Sequence, residues 1–109
     1  MNSSENQKTL FILLSLKDDS AHSTEQSQLN ECVDKVIEFN NKNYEDLNQL
    51  YKDFIFIYED LHRLRGTTTF GSIRGKQPLP GKMIKEINEL IDQLEKINNT
   101  KIQKISRDR

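Results

Sequence analysis

The chain has 109 residues, 34% of them hydrophobic and 30% charged, with a formal net charge of −1. That length allows one domain with one modest core, and the near-neutral charge gives no general attraction to nucleic acid or to an acidic membrane surface. A single cysteine, Cys32, excludes an internal disulfide and a cysteine-based zinc site, and two histidines, His22 and His62, make a poor basis for any metal site.

The first predicted element covers about residues 5–17 and carries Leu10, Phe11, Leu13, Leu14 and Leu16. Its apolar run from Thr9 to Leu16 is too short to span a bilayer. No small-residue cleavage site follows it, so it does not read as a signal peptide, and the expected location is cytoplasmic. So short a run fits a buried strand as well as a helix. The helical company it keeps favours helix. "DDSAHST" then breaks the chain, with Ser23 and Thr24 as N-cap candidates and Gln26 placed for a capping box with Ser23.

A second helix is expected from Thr24 to Phe39, where Leu29, Cys32, Val33, Val36 and Ile37 recur at spacings of three and four. Cys32 sits on that stripe and reads as core. "NNKN", residues 40–43, ends the helix, because asparagine competes for backbone hydrogen bonds and tolerates left-handed backbone. A third helix runs from about Tyr44 to Arg65 or beyond. Its face holds Leu47, Leu50, Tyr51, Phe54, Ile57, Tyr58, Leu61 and Leu64, widened by Ile55 and Phe56, and the expectation is the most buried helix of the domain.

"RGKQPLPGK" must be a loop or crossover, since Pro78 and Pro80 cannot sit in a helix interior. The fourth helix is expected from Gly81 to about Lys104, with Ile84, Ile87, Leu90, Ile91, Leu94 and Ile97 in a regular seam continued by Ile102 and Ile105. The tail at 106–109 is expected to fray. These elements predict one all-α domain over residues 1–109, with an ordered core at 5–105: an antiparallel four-helix bundle whose first helix packs in it or caps one end.

The stretch "EDLHRLRGTTTFG" holds the chemistry-bearing residues. At 3.6 residues per turn His62 falls roughly a quarter turn from the centre of the apolar stripe, with one edge toward water. Arg65 shares its side of the helix, and Gly66 lies one turn along. Gly66 reads either as a helix stop or as a clearing beside the imidazole. Arg63, Arg65 and Arg74 form a small basic cluster, a solvated surface or a phosphate-binding one. "GSIRGK" lacks the phosphate-loop spacing, and no nucleophile–base or paired-carboxylate pattern is present.

"HRLRGTTTFG" resembles the motif of histidine phosphotransfer domains, His-x-Leu-Lys-Gly followed by small residues and a later glycine. The resemblance covers about ten residues. It implies that His62 accepts a phosphoryl group, that Arg65 stands where the family's lysine steadies it, and that Gly66 lets a partner approach. Leu64 takes the buried position between them, and Thr67 and Thr68 the small positions. Gly71 follows nine residues after His62, where the family usually has ten, Leu61 stands where it prefers alanine, and one helix follows where it has two. The implied function is relay of a phosphoryl group from or to a receiver-domain aspartate, the partner being that receiver or a histidine kinase. No cofactor is expected on this chain, because the Mg²⁺ would belong to the receiver. An imidazole is a competent nucleophile near neutral pH, and transfer needs mainly positioning and charge stabilisation. The chain would be a phosphocarrier at most, with no further catalytic site. The competing expectation is a non-catalytic helical adaptor or coiled-coil assembly subunit. It would join other helical subunits through the fourth-helix seam and the N-terminal apolar run, and a homodimer is a further option. Neither reading includes nucleic acid or membrane.

Overall fold

The computed structural model describes residues 3–20, 24–70 and 81–107. It is all-α, with α1 at Ser3–Ser15, α2 at Thr24–Asn41, α3 at Leu47–Phe70 and α4 at Gly81–Arg107. Among the described residues there is no strand, so the first apolar run is helix as far as Ser15. His22, the capping box from Ser23, Gly71, Arg74, Pro78 and Pro80 lie outside the described residues.

Polar bonds between helices set their directions. Lys35 of α2 pairs with Asp60 of α3 at 2.8 Å, and Lys42 beyond α2 pairs with Asp53 at 3.2 Å. Rising numbers on one helix meet falling numbers on the other, so α2 and α3 are antiparallel. Arg65 late in α3 reaches Asn88 early in α4, so that pair is antiparallel too. Lys101 late in α4 meets the end of α2, so α2 and α4 run the same way. The turn after α1 is clamped to α2. Asn30 Oδ1 accepts from the Asp18 backbone N–H, Asn30 Nδ2 donates to the Asp18 carbonyl, and Lys17 pairs with Asp34 at 2.9 Å. The result is an antiparallel four-helix bundle, with Cα extents of 52 × 26 × 16 Å.

The core is built where the seams meet. Leu29, Val33, Val36 and Phe39 of α2 pack with Leu50, Leu61 and Leu64 of α3 and with Ile87, Leu90, Leu94 and Ile97 of α4; Leu13 is the α1 contribution. Each such side chain taken from water contributes about 1.5–3 kcal/mol. α1 rests on α2 and α4 and does not touch α3. That corrects the expectation for α3. It is not the most buried helix, because its outer face has no cover and Tyr51, Ile55 and Phe56 are exposed, Phe56 at 61%. Phe11 and Leu14 of α1 are exposed as well.

The start of α3 has a local cause. α3 begins at Leu47 rather than Tyr44, because Asp46 is its N-cap. The Asp46 carboxylate accepts from the Asn48 N–H at 3.0 Å, and its carbonyl accepts from the Leu50 N–H at 3.1 Å. Tyr44 is held outside the helix, its hydroxyl donating to Asp53 and its ring 5.4 Å from Phe39. The Gln26 side chain donates to Asn30 at 3.0 Å and is buried.

Leu61→Ala and Leu94→Ala each remove a fully buried side chain. Each is expected to lower unfolding free energy by about 2–5 kcal/mol. Ile55→Ala, on the uncovered face, is expected to stay within about 0.5 kcal/mol of wild type. Urea denaturation followed by circular dichroism checks all three.

Candidate functional site

α3 passes through His62 without a break and continues through Phe70. Gly66 is therefore a residue inside the helix and not its stop. A side chain added at Gly66 would meet no atom within 4 Å among the described residues. Residues 67–69, the three threonines, continue the helical backbone.

His62 is half-buried. Tyr58, one turn earlier, meets the imidazole edge-on, with ring centroids 4.3 Å apart. The Arg65 guanidinium lies 3.2 Å from His62 Nδ1 and donates at 3.1 Å to Asn88 Oδ1 on α4. A guanidinium can only donate, so Nδ1 accepts, and the neutral ring then carries its proton on Nε2. Arg65 thus ties the imidazole to the neighbouring helix. Asn88 was invisible in the sequence: it stands beside the Ile87 seam position, and no local pattern marks it.

Helical geometry places Tyr51, Ile55, Tyr58 and Gly66 within about 40° of the His62 direction on α3. Tyr51 and Ile55 are exposed. An apolar stripe therefore leads along the open face of α3 to the histidine and on to the clearing at Gly66. Tyr51, Ile55 and Tyr58 belong to the apolar face expected for α3, and Tyr58 packs partly on the core.

The expected basic cluster is divided. Arg63 points to the other side and pairs with Asp60 at 3.0 Å, where Lys35 also binds. Asp60 lies below its ordinary carboxylate range, chiefly through the hydrogen bond from Lys35, with burial opposing and Arg63 assisting. Lys35 is raised by the same bond. Buried Cys32, close by, has its thiol pushed up to about 11, mainly by burial. It is a packing residue, as its place on the α2 stripe implied. No cluster of three metal-ligating side chains occurs among the described residues, and no helix there is long and apolar enough to cross a membrane.

No protein-family model, no curated protein and no solved structure matches the chain.

The Asp60 network has a consequence for acid stability. A carboxyl group held low in the folded state contributes stability that is complete above its unfolded value, near pH 4, and is lost as pH falls through the folded value. Asp60→Asn is expected to cost about 1 kcal/mol at neutral pH, a figure kept low because Lys35 is partly exposed. The gap from wild type should narrow as pH falls below about 4. Urea midpoints across that fall in pH measure it.

Proposed function

We propose that the protein is a histidine phosphocarrier that exchanges a phosphoryl group with a receiver-type aspartate through His62. The observation that carries this reading is the arrangement at one place on α3. A half-buried imidazole stands in an unbroken helix, a guanidinium sits 3.2 Å from its Nδ1, and open space lies one turn on at Gly66. The short motif "HRLRGTTTFG" supports the same reading through its resemblance to histidine phosphotransfer domains.

Transfer onto His62 requires a ring nitrogen with a free lone pair. In the resting geometry Arg65 occupies Nδ1, and the proton sits on Nε2. As Arg65 turns onto the oxygens of the incoming phosphoryl group, Nδ1 is released and takes the ring proton, and Nε2 gains the lone pair that attacks. The N–P bond forms as the P–O bond to the donor aspartate breaks. The aspartate leaves as a carboxylate, and Arg65 balances the charge on the transferred group. Asn88 holds the guanidinium close by throughout. The exposed Tyr51 and Ile55 offer the partner an apolar surface leading to the histidine, and Gly66 leaves room for it.

A second reading, a helical adaptor or assembly subunit, is favoured by Phe11, Leu14 and Phe56. These are exposed but lie outside the His62 stripe, and covering them needs a partner whether or not phosphate moves.

Incubation with a phosphorylated receiver, or with a small phosphodonor such as acetyl phosphate, should leave acid-labile, base-stable phosphate on the wild type and none on His62→Gln. Arg65→Ala should slow labelling by at least about tenfold, the effect of one lost charge-assisted hydrogen bond. Unlabelled wild type, with its fold verified by circular dichroism, sinks the carrier reading and leaves the assembly reading.

Gly66 separates the two readings a second way. Gly66→Ala is expected to raise helix stability by up to about 1 kcal/mol, because nothing obstructs the added methyl group. Gly66→Leu, whose Cβ meets no described atom, should reduce transfer from a receiver protein while leaving labelling by acetyl phosphate nearly unchanged. Equal loss with both donors would contradict a partner-clearance role.

A further inference from the structure

A second polar cleft opens where the end of α2 meets the later half of α4, beside α1. It has a volume of about 250 Å³ and is lined chiefly by Asn40, Asn43, Lys96, Thr100, Lys101 and Lys104, and among the described residues no carboxylate lines it. Lys96, Thr100 and Lys104 are spaced at four and four, so they stand in one row along α4. Lys101 reaches across from beside that row and donates to the Asn40 carbonyl at 3.1 Å and the Lys42 carbonyl at 2.8 Å.

The charge in this cleft is unmatched. The chain has 17 acidic residues for 16 lysines and arginines, yet Lys96, Lys101 and Lys104 form no ion pair among the described residues. Asp92, one turn before Lys96 on α4, is exposed and makes none with it. Burial, and then the charge of Lys104, pull Lys101 below the usual lysine range. The cleft thus holds like charges together, and no ion pair among the described residues offsets them. The α2 C-terminus, with its negative dipole end, would oppose an anion. Lys101 answers that by bonding the last carbonyls, and the charges of Lys96 and Lys104 remain unspent. The buried Asn40 Nδ2 is a donor without an acceptor, and the Lys101 ammonium has one of its three donors left over.

A concave wall of one charge concentrates the field and attracts the opposite ion. The cleft has room for a compact anion such as a diphosphate. We propose that this cleft binds a small soluble anion of the phosphate class, a diphosphate or a compact phosphate monoester, between Lys96 and Lys104 with Lys101 and the Asn40 amide at its floor. At 1.5 Å per residue, Lys101 lies about 20 Å along α4 from Asn88, so this site is separate from His62 and does not rest on the phosphocarrier reading.

The test is a titration of the ¹⁵N-labelled protein with sodium pyrophosphate at physiological ionic strength, read by amide chemical shifts. Saturable shifts are expected around residues 40–43 and 96–104. The Lys96→Gln/Lys104→Gln double variant should weaken binding by at least about tenfold, and His62→Gln should leave it unchanged. Those two lysines are chosen because Lys101 also holds the end of α2, so its removal would confound folding with binding. Absence of saturation by about 10 mM, or shifts spread equally over Lys8, Lys52 and Lys82, would overturn the proposal. Equal response to citrate would overturn the phosphate class. Binding to phosphatidic-acid vesicles without binding of free pyrophosphate would reassign the cleft to a lipid headgroup and overturn it as stated.

Discussion

Burial of one apolar seam on α4 governs the arrangement of this protein. Ile87, Leu90, Ile91, Leu94 and Ile97 present a continuous stripe along a 27-residue helix, about 40 Å long. No single neighbour covers it. α2 and α3 pack against it from two sides, and α1 rests where α2 and α4 meet. α1 has 13 residues, about half the length of α4, and among its described side chains Leu13 alone is fully buried. With α1 engaged there, no other described helix covers the outer face of α3. The exposed Tyr51 and Ile55 and the half-wet edge of His62 are results of that single allocation of surfaces.

The same packing controls the chemistry available to His62. The helix that carries it supplies Tyr58 and Arg65, but the residue that holds Arg65 in place is Asn88, on a different helix. Position and tautomer of the imidazole are therefore coupled to the α3–α4 interface. The carrier reading places a partner on the His62 stripe of α3, whereas the assembly reading places one over Phe11, Leu14 and Phe56. They also differ in whether a covalent event at the ring accompanies docking.

Charge is distributed unevenly around this frame. Between α2 and α3, acids meet bases closely. Asp60 binds Lys35 and Arg63, and Asp53 accepts from Tyr44, Lys42 and Gln49. Burial there opposes the Asp53 charge, but the three donors outweigh it and hold that carboxyl low. At the α2–α4 junction the lysines meet only amides, hydroxyls and carbonyls. Two polar junctions in one small bundle thus solve opposite problems. The first is closed on itself, and the second is left with surplus positive charge at a concave surface.

Local periodicity was enough to identify four helices, the start of α2 at Thr24 and of α4 at Gly81, the α4 seam, and a histidine at the boundary of the α3 stripe. These follow from spacings of three and four and from prolines and asparagines, whose effects reach only one or two turns. The start of α3 was misjudged because the apolar Tyr44 extends the pattern, whereas the Asp46 carboxylate, a capping group, decides where the backbone turns helical. The exposure of Tyr51, Ile55 and Phe56, the approach of Asn88 to Arg65 and the gathering of Lys96, Lys101 and Lys104 against Asn40 were decided by tertiary structure alone. An apolar residue records that its helix has a face to hide, but it does not record which neighbour arrives to cover it, and side chains 23 or 61 positions apart meet only once the helices have chosen their partners.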